Sequence, residues 1–200
     1  MRILITAFEP FGGREENSSE KTIKALRDFQ GVDKIVLPVV FDECYKIVYE
    51  KMEQNYYNYI LMTGASCGRP SISVERIAIN LKDSSMPDNK RQIFEGVPIF
   101  PDGADGYFSK IDIRSVKQAF EKERIPISIS NSAGTYVCNN LFYGILYKIK
   151  KENLRTKAGF FHIPCLSEQV VKKPNTPSIS PETAIKGMEI ILMLAMEGAL

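Results

Sequence analysis

The 200-residue chain has no tryptophan and a single histidine, His162. One imidazole is too few for a histidine-built metal centre. Its four cysteines, Cys44, Cys67, Cys138 and Cys165, show no C-x-x-C spacing, so zinc ribbons and thioredoxin-type motifs are excluded. Free thiols in a reducing compartment are the simplest account of them. No run of one charge sign is present: 26 basic and 24 acidic residues give a formal net charge of +2 and are scattered along the chain. That removes a dedicated nucleic-acid surface and leaves only a local patch at Lys148-Ile149-Lys150-Lys151. Long hydrophobic runs are missing too. Arg2 to Phe8 is too short for a signal-peptide core, and the apolar C-terminal segment is interrupted by Lys186, Glu189 and Glu197. A soluble cytoplasmic protein without a membrane partner is expected. The pair Gly12-Gly13 fits neither G-x-G-x-x-G nor a P-loop, so no phosphate cofactor is called for, and neither is a metal.

What is present is the material of one compact domain over residues 1–200, with 44% hydrophobic and 25% charged side chains. Ile3 to Phe8 is a continuous apolar run, as in a strand covered on both faces. Asn17 with Glu20 suggests a helix cap ahead of Ile23 and Leu26. A second strand is expected over 34–40 and a helix over 42–55 that buries Cys44. Tyr59 to Thr63 reads as a third strand stopped by Gly64. Between Ile72 and Leu81 the apolar positions change parity, which predicts a bulge or bend near Glu75. The polar stretch 82–106 reads as a long loop or excursion, and long loops in compact domains tend to be functional. Ile113, Val116, Ala119 and Phe120 mark a further helix; 172–180 reads as a surface connection. Ser180-Pro181 opens the last helix, which Gly198 stops. Alternating strands and helices predict an α/β fold, a three-layer α/β/α sandwich with a largely parallel mixed sheet.

The chemistry gathers at Ser130 to Asn140. Ile125, Ile127 and Ile129 alternate ahead of it, and Leu141, Phe142, Ile145, Leu146 and Ile149 follow at helical spacing. Cys138 therefore falls in the first turn of a helix, where the dipole favours a thiolate. His162 ends an apolar run, Gly159-Phe160-Phe161, just before Pro164. One cysteine at a helix start and one histidine at a strand end are the minimal parts of a cysteine nucleophile with its base. In a parallel sheet the ligand crevice lies beyond the carboxyl ends of the strands, so the loops after Phe8 and Thr63, the Cys138 turn and His162 are expected to converge there.

Four blocks in order, Thr6-Ala7-Phe8-Glu9-Pro10-Phe11-Gly12-Gly13, Val74 to Asn80 with Pro87-Asp88-Asn89, Ser130 to Asn139, and Gly159 to Pro164 with Glu168-Gln169, resemble the pyroglutamyl peptidase I (pyrrolidone-carboxylate peptidase) family. The resemblance covers about Ile3 to Gln169 and implies an α/β/α sandwich. It implies a cysteine exopeptidase that removes an N-terminal pyroglutamyl residue from peptides, without a cofactor and as a homo-oligomer, dimer or tetramer. Cys138 would be the nucleophile, His162 its base and Glu75 the carboxylate that orients the imidazole, with the Cys138 backbone N–H as an oxyanion donor. Phe8, Phe11, Tyr136 and Val137 would line the pocket of the lactam ring.

The chain departs from the family pattern at three places. Gly64-Ala65-Ser66-Cys67-Gly68-Arg69 stands where the family has Gly-Gln-Ala-Gly-Gly-Arg, so a pocket Gln is replaced by Ala65 and a Gly by Cys67. Ser85 replaces an Arg, and Asn140 a His. Cys67 reads as a second oxidisable thiol near Cys138. These changes leave two further readings open beside the peptidase: an amidase of the same fold with a drifted substrate, and a binding protein that keeps the pocket without turnover.

Overall fold

The structure is a computed structural model that describes residues 1–173 and 175–200. In chain order its elements are β1 (Ile3–Phe8), α1 (Ser18–Ala25), β2 (Val32–Leu37), α2 (Glu43–Gln54), β3 (Tyr59–Ala65), β4 (Ile72–Glu75), β5 (Ile77–Ile79), β6 (Lys82–Ser84), β7 (Phe94–Val97), β8 (Gly106–Phe108), α3 (Ile113–Lys122), β9 (Ile127–Ser130), α4 (Val137–Lys151), β10 (Lys157–Ile163), β11 (Cys165–Leu166), β12 (Ser178–Ile179) and α5 (Pro181–Met196). Six strands form the central sheet in the order β2-β1-β3-β10-β4-β9. Every neighbouring pair is parallel except β10 with β4.

The alternation within β1 explains the layers. Ile3, Ile5 and Ala7 point into the apolar layer shared with α1, α3 and α5, while Leu4 and Phe8 point into the layer shared with α2 and α4. Both faces of the sheet are thus covered, as the continuous apolar run requires. Local signals start the helices where expected. Asn17 caps α1 by accepting from the Ser19 N–H, while Glu20 pairs with Lys24. Ser180 caps α5 with Pro181 at its first position, and Gly198, at φ +74°, ends it. Cys44 is fully buried in α2, as its helical face predicts.

Several expectations are corrected. Gly64 does not stop the third strand but lies inside β3. The parity switch near Glu75 is a change of sheet: β4 stays in the central sheet, while β5 pairs with β8 outside it. The stretch 82–106 is, as expected, an excursion, and it carries its own short pairing, β6 with β7. Of the connection over 172–180, Pro174 lies outside the described residues, and the rest includes β12, paired with β11. The cysteines are not all free. Cys67 and Cys165, 98 residues apart in sequence with Cα atoms 4.6 Å apart, form a disulfide, which leaves Cys44 and Cys138 as thiols. Spacing along the chain carries no information about a pair brought together by the β3-β10 contact.

Candidate active site

β10 is the spine of the site. Its neighbour β3 sets Gly64 level with His162 in parallel register, so both face the α4 side of the sheet. A Cβ at Gly64 would stand 2.8 Å from Sγ of Cys138 and 3.0 Å from Phe160. The missing side chain is therefore the slot into which α4 inserts its thiol, against the Phe160 ring and on the face of the sheet that carries His162. On the other side β4 runs antiparallel, with Glu75 opposite Phe160 and Ser73 opposite His162. The Glu75 side chain reaches the imidazole on the diagonal, a cross-strand distance that long side chains span.

The strand-end argument is right for His162 and needs correction for Cys138. β9 runs parallel to β4 and so opposite to β10; the loop 131–136 after it, not the direction of β9, returns the chain to the site. α4 then opens at Val137 with Tyr136 as its N-cap, and no side chain caps its first amides. Cys138 thus sits in the first turn, with uncapped N–H groups around it.

The polar centre is compact. Nδ1 of His162 donates to Oε1 of Glu75 at 2.7 Å, which leaves Nε2 as the basic nitrogen. Nη1 of Arg69 donates to the same Oε1, also at 2.7 Å. Glu75 is fully buried, and its Oε2 has no partner among the described residues. Burial would raise the Glu75 carboxyl, but the His162 hydrogen bond and charge, with smaller help from Ser130 and then Arg69, outweigh it and keep the carboxylate below its ordinary 4.5. Burial lowers His162 from 6.5 against the opposing pull of Glu75, so the imidazole is neutral at pH 7. The thiol differs from the helix-dipole expectation. Burial, followed by the field of Glu75, pushes Cys138 up to about 12, and Arg69 offsets this only in part. The resting pair is a neutral thiol and a neutral imidazole, so the proton moves as sulfur attacks.

Beside Cys138 lies an apolar pocket lined by Phe8, Phe11, Asn17, Val39, Ala65, Tyr136 and Val137. Every pocket residue named from the sequence is there. Its free volume, between Phe11 and Tyr136, is about 10 Å³, room for roughly one water and less than a ring-sized ligand needs. These two rings are 5.9 Å apart and only half-buried. A wider cleft of about 270 Å³ adjoins the pocket through Phe11 and Ala65, along Arg14, Gln169 and the Cys67–Cys165 disulfide.

The sequence model of one protein family, described as pyroglutamyl peptidase, matches residues 1–198. The chain belongs to the pyroglutamyl peptidase family. It is 44% identical over 200 residues to pyrrolidone-carboxylate peptidase 1 of Caldanaerobacter subterraneus, covering 98% of both chains. It is 40% identical to the pyrrolidone-carboxylate peptidase of Thermococcus onnurineus, across 98% of this chain and 100% of that one. Among solved structures, the pyrrolidone carboxyl peptidase of Fervidobacterium islandicum superposes with a TM-score of 0.94 at 34% identity, over 98% and 99% of the two chains. Pyroglutamyl peptidase I of Bacillus amyloliquefaciens gives 0.89 at 32%, over 94% and 91%.

The structure accounts for motif residues of this pyroglutamyl peptidase family member that do no chemistry. Asp88 accepts from the amides of Phe41, Lys90 and Gln92, and Asn89 donates to Glu9 and to the Pro10 carbonyl, so Pro87-Asp88-Asn89 pins the loop that carries Phe11. Tyr136 is fixed by its hydroxyl on the Pro87 carbonyl at 3.0 Å. Asn140, at the departure from the family His, is not in the pocket; it accepts from the Asp42 amide and donates to the Asp42 carboxylate, fastening α4 to the start of α2. Sequence reasoning missed Arg69, Gly64, Asn17, Val39 and Cys165 as parts of the site. Only Gly64 and Arg69 carried a signal, as the two ends of the Gly64–Arg69 motif, and neither role is readable without β10.

Proposed function

We propose that Cys138 is the nucleophile, His162 the general base and then acid, and Glu75 the carboxylate that holds the imidazole in its Nε2-basic tautomer. The chain is a cysteine-type omega peptidase whose reaction is removal of N-terminal pyroglutamate. Sγ attacks the carbonyl carbon that joins pyroglutamate to the next residue, and Nε2 takes the thiol proton as the carbon–sulfur bond forms. The Cys138 N–H, at the start of α4 that no side chain caps, is the donor assigned to the resulting oxyanion. Collapse expels the peptide amine, protonated by His162, and leaves a thioester. Water then attacks the thioester, giving its proton to Nε2, and pyroglutamate leaves as the thiol is restored.

The observation that carries the assignment is the imidazole held by Glu75 at 2.7 Å with Cys138 in the Gly64 slot and an apolar pocket on the thiol's other side. A pyroglutamyl group is a neutral lactam, and apolar walls with backbone hydrogen bonds suit it. Phe8, Phe11, Tyr136 and Val137 supply the walls, and Ala65 replaces a side-chain contact with backbone. The peptide beyond the first residue would run along the wider cleft, whose Cys165 follows the His162 strand end. The chain is proposed to work as one domain and as a homo-oligomer; the cytoplasmic expectation rests in part on free thiols, and the Cys67–Cys165 disulfide removes that part of its support. Among the described residues no helix is long and apolar enough to cross a membrane.

The test is release of a fluorophore from pyroglutamyl, prolyl and glutamyl amides by the purified, folded protein. Pyroglutamyl release alone is expected. Release only from another amide would favour the drifted amidase. Binding of pyroglutamyl peptides without any acyl adduct on Cys138 would favour the binding protein.

A further inference from the structure

Glu75 Oε1 is shared by two donors, Nδ1 of His162 and Nη1 of Arg69, each at 2.7 Å, so the two nitrogens are at most about 5.4 Å apart. Arg69 is not a chance surface partner. Its loop is fastened to the end of the His162 strand at two points, by the Ser66 N–H to the Ile163 carbonyl at 2.8 Å and by the Cys67–Cys165 disulfide. Gly68, at φ +103°, makes the turn that brings Arg69 back over β4.

The charges around the imidazole are few. Glu75 faces it from β4 and Arg69 from the loop, and the fields of these two groups also reach the Cys138 thiol on α4. β3 contributes Gly64 and Thr63, and β9 contributes Ser130, none of them charged. A fully buried carboxylate needs a counter-charge. Burial already disfavours the imidazolium, but Glu75 as a lone partner would pull His162 back towards it, and an imidazolium cannot accept a proton from the thiol.

We propose that Arg69 is a positioning residue for the reaction: by neutralising Glu75 through the oxygen that His162 also uses, it frees the imidazole to stay uncharged and act as the base at neutral pH. The carboxylate then orients His162 without holding it in the protonated state. At an effective dielectric of about 20, two unit charges at that separation shift a titration by about two pH units. The Arg69 side chain is 30% exposed, so solvent screening reduces this, and about one unit is expected.

The single histidine makes the test direct, because the imidazole signals of the folded protein belong to His162 alone. The titration of His162 is followed by NMR in the wild type, Arg69→Gln and Arg69→Lys, beside the pH profile of kcat/KM on a pyroglutamyl amide. The profile rests on the peptidase reading above; the NMR titration does not, so an inactive protein would sink that reading and still test Arg69. Arg69→Gln is expected to raise the His162 midpoint and the acid limb of kcat/KM together by about one pH unit, with Arg69→Lys returning most of the shift. Should the Gln variant not fold, Arg69→Met, which keeps the apolar stem, is read in its place. An unmoved His162 midpoint in the charge-neutral variant overturns the proposal. A rate loss without movement of the pH limb, or a rise in KM alone, also overturns it, in favour of a structural or substrate-binding role.

Discussion

Breaking the Cys67–Cys165 disulfide should cost this protein much of its stability. The bridge closes a loop of about 98 residues, from the end of β3 to the end of β10. In the chain-entropy description such a loop restricts the unfolded ensemble by about 16 cal/mol/K, or about 4.7 kcal/mol at 25 °C. A 200-residue domain unfolds with an entropy near 0.4 kcal/mol/K, so the loss corresponds to a fall in Tm of roughly 10 °C. Some of the constraint is already present without the bridge, because β3 and β10 are paired over seven residues and Ser66 donates to Ile163. Those contacts belong to the folded state and leave the entropy of the unfolded chain untouched. The assay is thermal unfolding of the wild type with and without dithiothreitol, alongside Cys67→Ser in both conditions. The reductant should lower the wild-type Tm to that of the variant and leave the variant unmoved. Equal Tm values for oxidised wild type and Cys67→Ser, with the bridge verified by mass spectrometry, would refute the reasoning.

Cys138→Ala should reduce turnover on the order of 10⁴-fold or more while Cys44→Ala stays active, since Cys44 is fully buried in α2; iodoacetamide labelling of the wild type should inactivate in step with modification of Cys138. Gly64→Ala puts a methyl group 2.8 Å from Sγ, so the thiol must move; kcat/KM should drop by about 10²-fold in a protein that still folds, and an unchanged rate would show that Sγ does not need that slot. Stability should fall on both sides of neutrality. Below about pH 6.5 the unfolded imidazole binds a proton that buried His162 takes up only at lower pH, and below 4.5 an unfolded Glu75 does the same, so acid favours the unfolded chain. Above pH 9 the unfolded thiols of Cys44 and Cys138 ionise while the folded ones stay protonated, which removes about 1.4 kcal/mol per thiol by pH 10. Denaturant midpoints at pH 5, 7.5 and 10 measure both limbs, and Cys138→Ser should recover part of the alkaline loss.

Local patterning determined the layered fold, because the alternation of apolar runs and helical stripes is written into each segment by what it must bury. β1 reads as a two-sided strand because its odd residues face α1, α3 and α5 while Leu4 and Phe8 face the opposite layer. The Asn17 and Ser180 caps, the Cys138 helix start and the bend after Glu75 are local as well, and motif resemblance supplied the catalytic assignments. Strand direction and neighbourhood were decided only in three dimensions. β4 and β9 run against the rest of the sheet, so Glu75 reaches His162 along a diagonal that no spacing of 87 residues encodes. The Cys67–Cys165 bridge and the Arg69 contact with Glu75 follow from where β3 and β10 end relative to each other. The state of the thiol is tertiary as well. A helix start lowers a thiol's pKa by itself, but the depth at which α4 packs under Gly64 reverses the sign, because desolvation of a charge exceeds what one helix dipole returns.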